Sequence, residues 1–568
     1  MFAHGEKVTK LSRRKFLKTT SIGGVTAAVS HSTLASTQAQ LTKANAMDHV
    51  IVVVFENRSF DNIFGHLYQP GEVPKFNGVI GKNLSNPVPS WAKFSAPNGN
   101  VPYGPSTDMD SPNPASGDEY YHTNTQLFNI LNEVNRFKTG NQISPPYNNP
   151  PSYKTTPTMN GFVTDYISSF TAEVGREPTY AEYSQIMTGY TPEQIPVIST
   201  IGKGFGVFDH WFSEVPSHTF SNRSFWAAAT SSGYVLNDPA TNFLLENKAE
   251  TIFNRLEAHG KTWKVYVSEL HPVSFTGLIN MPMLKQYFAT HFVPFAEYEK
   301  DCKNGTLPNY AFIEPNLLAA HNDYHPAHGR SFIQKVMNMQ EDPPSSILGG
   351  EAYLKQIYDA YKGMKSTTGS NTFNTTLFIG WDEAGGTYDH VPPPLVSAPD
   401  PNNPKGQDGF TFERSGYRVP AVIVSPWIPE RTVFTDEYRH TSMIATLRKK
   451  WNLGEAFTAR DAQARTFDTC FTLDKPRDPS TWPDVVARPV PKYSASTLKH
   501  LPPSYSGLAK AIVPGLVKVA HLHDVKTPSM PTNPNSEISP TQGVKIALEL
   551  SDHPVSYTHL TLPTNREV

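Results

Sequence analysis

The sequence predicts an α/β fold: a doubly wound, mostly parallel sheet flanked by helices and interrupted by long insertion loops. Two observations lead there. Short, nearly continuous apolar runs rich in β-branched residues recur along the chain, and most give way at once to a polar cluster. That is the pattern of strands covered on both faces. Between them lie segments with apolar residues at helical spacing, as parallel strands joined by crossover helices require. The first run, HVIVVVF at 49–55, leads into Glu56-Asn57. A second candidate strand spans 262–267, and a third, at 310–313, leads into Glu314. The run at 376–381 leads into Asp382-Glu383, and that at 419–424 into Ser425-Pro426. From Glu351, Leu354, Ile357, Tyr358, Tyr361 and Met364 fall on one helical face. A second helix is expected over 442–451, with Met443, Ile444 and Leu447 inward and Lys449-Lys450 near the end, where cations suit the helix dipole. Ligand sites in such sheets lie at the carboxyl ends of the strands. Glu56-Asn57 and Asp382-Glu383 are both expected there. Segments 70–107 and 139–157 are rich in Pro and Asn and read as insertion loops, and 526–542 as a linker or tail.

Composition narrows the class of partner. Lys and Arg number 49 against 51 Asp and Glu, a net charge of −2, which argues against nucleic acid. No apolar run reaches the ~18 residues of a membrane-spanning helix. Near the N-terminus, Ser12-Arg13-Arg14-Lys15-Phe16-Leu17-Lys18 precedes a weakly apolar stretch and Thr37-Gln38-Ala39. This resembles a twin-arginine export signal, so the twin-arginine export machinery is an expected partner and the destination is periplasmic or secreted. The domain reading is a signal at 1–39, an α/β domain at 47–490, a C-terminal extension at 491–554 and a tail at 555–568. The tail back-translates to a sequence resembling a transposon-based sequencing adapter and is expected to be non-native. An oxidising compartment would permit Cys302 and Cys470 to pair, but two buried thiols fit equally well.

The chemistry-bearing residues fall in three groups. Acidic and amide pairs at neighbouring strand ends suit one divalent metal ion through oxygen ligands, with Ca²⁺ or Mg²⁺ favoured and Zn²⁺ compatible. The segment DEAGGTYDH at 382–390 follows a strand directly, and its two glycines allow a tight turn. SHTFSNR at 217–223 sets hydroxyls beside an arginine. A hydroxyl next to a metal becomes an alkoxide nucleophile, and arginine grips phosphate with two parallel donors. HNDYHPAH at 321–328 packs three imidazoles that suit phosphoryl contact or proton donation to a leaving group. There is no His-Glu-x-x-His, Gly-x-Ser-x-Gly or Walker loop, and the Cys/Ser-x-Pro-x-Arg motif of sulfatases is absent. Gly202 to Gly206 is too loose for a dinucleotide fingerprint.

At these residues the chain resembles the phosphoesterase family of non-specific phospholipases C and related acid phosphatases. The similarity runs from about residue 48 to 474. It is carried by FENRSFD at 55–61, MNGF at 159–162, VPSHT at 215–219 with Asn222-Arg223, DCKNGTLPNY at 301–310, NDYHP at 322–326, WDEAGGTYDHV at 381–391 and IVSPW at 423–427. The resemblance implies an alkaline-phosphatase-like core in which Glu56, Asn57, Asp382 and Glu383 hold the metal and Thr219 is the nucleophile. Asn222 and Arg223 follow it in the motif. His122, within DEYYH at 118–122, and His325 would contact the phosphoryl or leaving group, with Asp389 and His390 further members. Two positions depart from the family pattern: Ser221 stands where proline is usual, and Tyr324 where an acidic residue is common. The activity expected is phospholipase C, releasing diacylglycerol and a phosphorylated head group from a phospholipid during transient membrane-surface contact. A broad acid phosphatase acting on phosphomonoesters is the alternative. A non-catalytic surface lipid-binding protein is the second.

Overall fold

The computed structural model describes residues 42–490 apart from 153, 269–273, 318–320, 328–329, 332–346 and 403–404, together with 503–504, 514–518, 520–521, 526–536 and 546. The expected export signal, the tail at 555–568, most of the extension at 491–554 and His328 lie outside the described residues.

Eight strands form the central sheet: β1 His49–Phe55, β2 Gly206–Phe208, β3 Trp263–Val267, β4 Phe292–Pro294, β5 Tyr310–Glu314, β6 Thr375–Trp381, β7 Ala421–Val424 and β8 Thr432–Phe434. Their order is β8-β2-β7-β6-β1-β5-β3-β4. All neighbours are parallel except at β7, which runs antiparallel to both β6 and β2. All seven residues of β6 and six of the seven in β1 are buried. Each fully buried Val or Ile side chain contributes roughly 1.5–3 kcal/mol of apolar burial, so this central pair anchors the sheet.

The run at 419–424 is thus a strand, but it does not extend the parallel array. The chain leaves β6 at Trp381 and returns at Ala421 through a segment with no crossover helix among its described residues, and a return without a crossover re-enters antiparallel. Strands β2, β4 and β8 have three residues each, too few to show a period.

Six helices matter for the site: α1 Tyr120–Phe128, α2 Phe162–Val174, α3 Pro196–Gly204, α4 Thr219–Ala228, α5 Ile347–Lys362 and α6 His440–Trp451. The helix expected from Glu351 is α5. It starts earlier and buries Leu354, Ile357, Tyr358 and Tyr361, with Met364 just past its end. The one expected from Ser442 is α6, which buries Met443, Ile444 and Leu447. Helix α4 packs on α6, α1 on α2, and α3 on α5. Cys302 and Cys470 are both buried and unpaired, so the two-thiol reading holds. Among the described residues no helix is long and apolar enough to cross a membrane.

Candidate active site

Strands β1 and β6 pair in register up to Phe55 against Trp381, so the next residues, Glu56 and Asp382, emerge side by side. The two segments then interlock. Asp382 N donates to Phe55 O (3.0 Å), Asn57 N to Asp382 Oδ1 (3.1 Å) and Arg58 N to Glu383 O (3.1 Å). Asn57 takes a left-handed φ of 56°, and Gly385 and Gly386 take 59° and 61°. A Cβ on Gly385 would collide with the Asn57 backbone, which explains that glycine. Glu56, Asn57, Asp382 and Glu383 are all buried.

Burial raises the Glu56 and Glu383 carboxyls well above their ordinary range, and neighbouring carboxylates add to it: chiefly Asp382 for Glu56, and Asp118 then Asp382 for Glu383. Asp118, whose Oδ2 accepts from Asn57 Nδ2 (2.8 Å), is raised by burial and by Glu119. Arg223 is the cation inside this group, with Nε 3.0 Å from Glu56 Oε1 and 3.2 Å from Asp382 Oδ2. One guanidinium does not balance so many carboxylates. Asn57 Oδ1 and Glu383 Oε1 are buried without a hydrogen-bond partner. An oxygen-only donor set, excess negative charge and two unsatisfied buried oxygens fit a hard divalent cation.

Thr219 is the first residue of α4, and Arg223 lies one turn along on the same face. Three hydroxyls crowd this helix start. Ser217 Oγ donates to Val235 O (2.8 Å), and Ser221 Oγ lies 2.9 Å from Val235 O and 3.1 Å from Tyr234 O. Among the described residues the Thr219 hydroxyl has no such partner. The N-cap His218 is neutral: burial lowers it to about 4, and its Nε2 accepts from Asn237 N at 2.7 Å.

His122 on α1 is buried, with Nδ1 2.7 Å from Asp165 Oδ1 of α2. The second Asp165 oxygen accepts from Gln126 Nε2 (2.7 Å), and Gln126 Oε1 accepts from Tyr417 OH (2.7 Å). Burial works against the imidazolium, but Asp165, with Glu119 and Asp118 behind it, raises His122 to about 9. His122 Nε2 lies 3.4 Å from Thr139 Oγ1 and 3.7 Å from Glu119. His325 donates its backbone N–H to Asp323 Oδ1 (3.0 Å), and its Nδ1 lies 2.7 Å from Pro326 O. Asp323 reaches the carboxyl end of β1, because its carbonyl accepts from Glu56 N (2.9 Å).

Four expected members are held mainly by protein groups. Asn222 is a brace: its Oδ1 accepts from Glu214 N (2.9 Å) and Val215 N (3.0 Å), and its Nδ2 donates to the Ser217 carbonyl (2.7 Å). It fixes the turn leading into Thr219. Asp389 and His390 belong to a network around the fully buried Arg418, which holds Asp61 at 2.8 Å and Asp389 at 3.0 Å while His390 Nδ1 contacts Asp61 (2.6 Å). Arg223, expected to grip phosphate, has Nε against carboxylates and Nη2 on Val54 O (3.1 Å), with Nη1 buried and unpaired. Ligand atoms of Asp61, Asp389 and His390 lie within 4.8 Å of one another, as do those of Asp118, Glu119 and His218. Arg418 already bonds both carboxylates of the first triad.

Two further residues lacked a reading from sequence. Asp165 lies three positions past MNGF, one helical turn, and that spacing was its only signal. His440 opens α6, with Nε2 2.6 Å from Asp382 O and its ring stacked on Trp226. Nothing in its local sequence marks it.

The model of the phosphoesterase family matches residues 47–454, the stretch that holds every one of these side chains. The chain belongs to that family. This phosphoesterase is a hydrolase acting on phosphoric ester bonds. It is 32% identical over 463 residues to non-specific phospholipase C3 of Arabidopsis thaliana, covering 78% of this chain and 77% of that one. It is 32% identical over 465 residues to non-specific phospholipase C1 of the same plant, covering 77% and 73%. With phospholipase C B of Mycobacterium tuberculosis it shares 25% identity over 410 residues, covering 66% and 72%.

Proposed function

We propose that this phosphoesterase is an exported phospholipase C that cleaves the glycerol-side P–O bond of a phospholipid through a phospho-Thr intermediate on Thr219. The observation that carries the reading is the Thr219 hydroxyl, which has no hydrogen-bond partner among the described residues, at a helix start one turn from the guanidinium that touches Glu56 and Asp382. The names of the plant and mycobacterial relatives supply the substrate class. Arg13-Arg14 supplies the export route.

Glu56, Asn57, Asp382 and Glu383 would hold a divalent cation, Ca²⁺ or Mg²⁺ before Zn²⁺, which when bound neutralises their charge and lowers the pKa of a neighbouring hydroxyl. The N-terminus of α4 directs partial positive charge at the phosphoryl oxygens. Thr219 Oγ1, its proton lost to solvent, attacks phosphorus; the Oγ1–P bond forms as the glycerol-side P–O bond breaks, and the departing diacylglycerol oxygen takes a proton from solvent. His122, kept cationic by Asp165, and His325, anchored by its Nδ1, contact the phosphoryl or leaving group. Water then hydrolyses phospho-Thr219 and frees the phosphorylated head group. Asn222 holds the turn that aims Thr219.

The test compares turnover of p-nitrophenylphosphorylcholine with that of p-nitrophenyl phosphate by the purified protein, with metal analysis. Preference for the diester supports the reading. Exclusive turnover of the monoester replaces it with a phosphatase. Arg13-Arg14 changed to Lys-Lys should retain the protein in the cytoplasm, and unimpaired export of that variant removes the twin-arginine route.

A further inference from the structure

We propose that Tyr324 and Glu351 form a strut that positions the histidine loop against the end of β1, so that loosening it slows turnover without any contact to substrate. The inference rests on the reading of this centre as a phosphodiester-hydrolysing site. Among the described residues neither is hydrogen-bonded to Glu56, Asn57, Asp382 or Glu383.

Tyr324 is a bulky residue with a left-handed φ of 68°, a conformation that persists only where surroundings enforce it. Its ring packs edge-on against Phe55 (centroids 4.7 Å) and Trp381 (5.1 Å), the last residues of β1 and β6. Its carbonyl accepts from Arg58 Nε (2.7 Å), and its hydroxyl donates to Glu351 Oε1 (2.7 Å). Gly350 leaves room for the ring, because a Cβ there would collide with it.

Glu351, fully buried on α5, is itself tied down. Val197 N donates to Oε2 (2.6 Å) and Ile198 N to Oε1 (3.0 Å). These are early N–H groups of α3, whose own N-cap residue, Ile195, supplies no side-chain bond. One carboxylate therefore joins a helix start to the loop.

The loop residues on either side of Tyr324 are those that reach the site. Asp323 O receives Glu56 N, its Oδ1 receives His325 N, and its Oδ2 lies 2.9 Å from His321 Nδ1. A shift of Tyr324 moves both neighbours.

Burial pushes the Glu351 carboxyl up to about 7, against the lowering pull of Tyr324 OH, the two backbone donors and Arg488. As a carboxylate it accepts all three donors. Once protonated it gains a donor of its own, and its hold on the loop weakens.

The experiment uses the full chain and the variants Tyr324→Phe and Glu351→Gln, with p-nitrophenylphosphorylcholine as substrate. Tyr324→Phe keeps the ring and deletes the hydroxyl. It should lower kcat about tenfold to a hundredfold with KM little changed, the scale of a small misplacement. Its acidic pH limb should move to higher pH, since one lowering bond is lost, and Glu351→Gln should abolish that limb. Hydrogen exchange of the 321–327 peptide, corrected for intrinsic rates, should be faster in Tyr324→Phe. Wild-type kcat, pH profile and exchange in both variants would overturn the strut. So would activity lost only in step with the folded fraction. If the wild type turns over neither p-nitrophenyl substrate, the functional reading fails, and the exchange comparison still decides the strut.

Discussion

Ser217, Thr219 and Ser221 all carry a hydroxyl within five residues, and what separates them is what each already holds. The serines are bonded to backbone carbonyls of residues 234–235, so neither can rotate toward phosphorus without breaking a buried bond. Thr219→Val keeps the shape and deletes the oxygen. It should reduce kcat at least ~10³-fold, or about 4 kcal/mol at 1.36 kcal/mol per tenfold. Thr219→Ser should retain much of the rate, and Ser221→Ala should remain near wild type. Acid quench and mass spectrometry should find phosphate on residue 219. A dead Ser221→Ala beside an active Thr219→Val would shift the nucleophile by two positions. Asp165 makes a second claim at this scale. His122 is raised from its ordinary value to about 9, so its charged form is favoured by folding. That stabilisation is complete below the ordinary histidine value and disappears as pH climbs through about 9. Asp165→Asn should bring the His122 titration, followed by NMR of the ring protons, down by more than one unit.

Elements show where sequence reading reaches and where it stops. The long strands announced themselves because both faces are buried: β1 and β6 had to be apolar almost throughout. The direction of β7 was not readable, since an apolar run has the same composition in either sense. The glycines at 385–386 marked a turn, and a close approach to Asn57 is what they permit. Asp389-His390 matched a motif, and the structure ties both into the Arg418 network, a set of contacts that a motif does not spell out. Arg418→Met tests that assignment. It leaves Asp61 and Asp389 buried without their cation, which should destabilise the fold by about 3–5 kcal/mol. Denaturant melts would measure this, and kcat per folded molecule should stay within severalfold of wild type. Loss of kcat with unchanged stability would return Asp389 and His390 to the catalytic group.

For the whole molecule the buried carboxylates set the response to pH. Glu56, Glu383 and Asp118 are all raised, mainly by burial. The folded state therefore binds protons more tightly than the unfolded one. Without metal, these groups leave the fold most stable below the ordinary carboxylate range, and stability falls as pH rises through the raised values. A divalent cation would reverse this by binding the ionised cluster in the folded state alone. In chelator, Tm should decline as pH rises from about 5 to 8. Added Ca²⁺ or Mg²⁺ should raise Tm, and by more at pH 8 than at pH 5. A metal effect independent of pH, or none, would break the link between these carboxylates and the ion.

The central place of β1 also governs how the chain is made. Its two neighbours in the sheet are β5, ending at Glu314, and β6, ending at Trp381. A ribosome finishes Trp381 some 326 residues after Phe55 (381 − 55). At about 5–20 residues per second that is roughly 16–65 s. Throughout this interval HVIVVVF is an uncharged β-branched segment with at least one edge unpaired, the kind that recruits copies of itself. Frequent initiation multiplies the number of such nascent chains present at once. Yield of active protein should therefore rise when fewer chains are initiated per unit time or when a chaperone that shields extended apolar segments is supplied, with no change in the stability of the finished molecule.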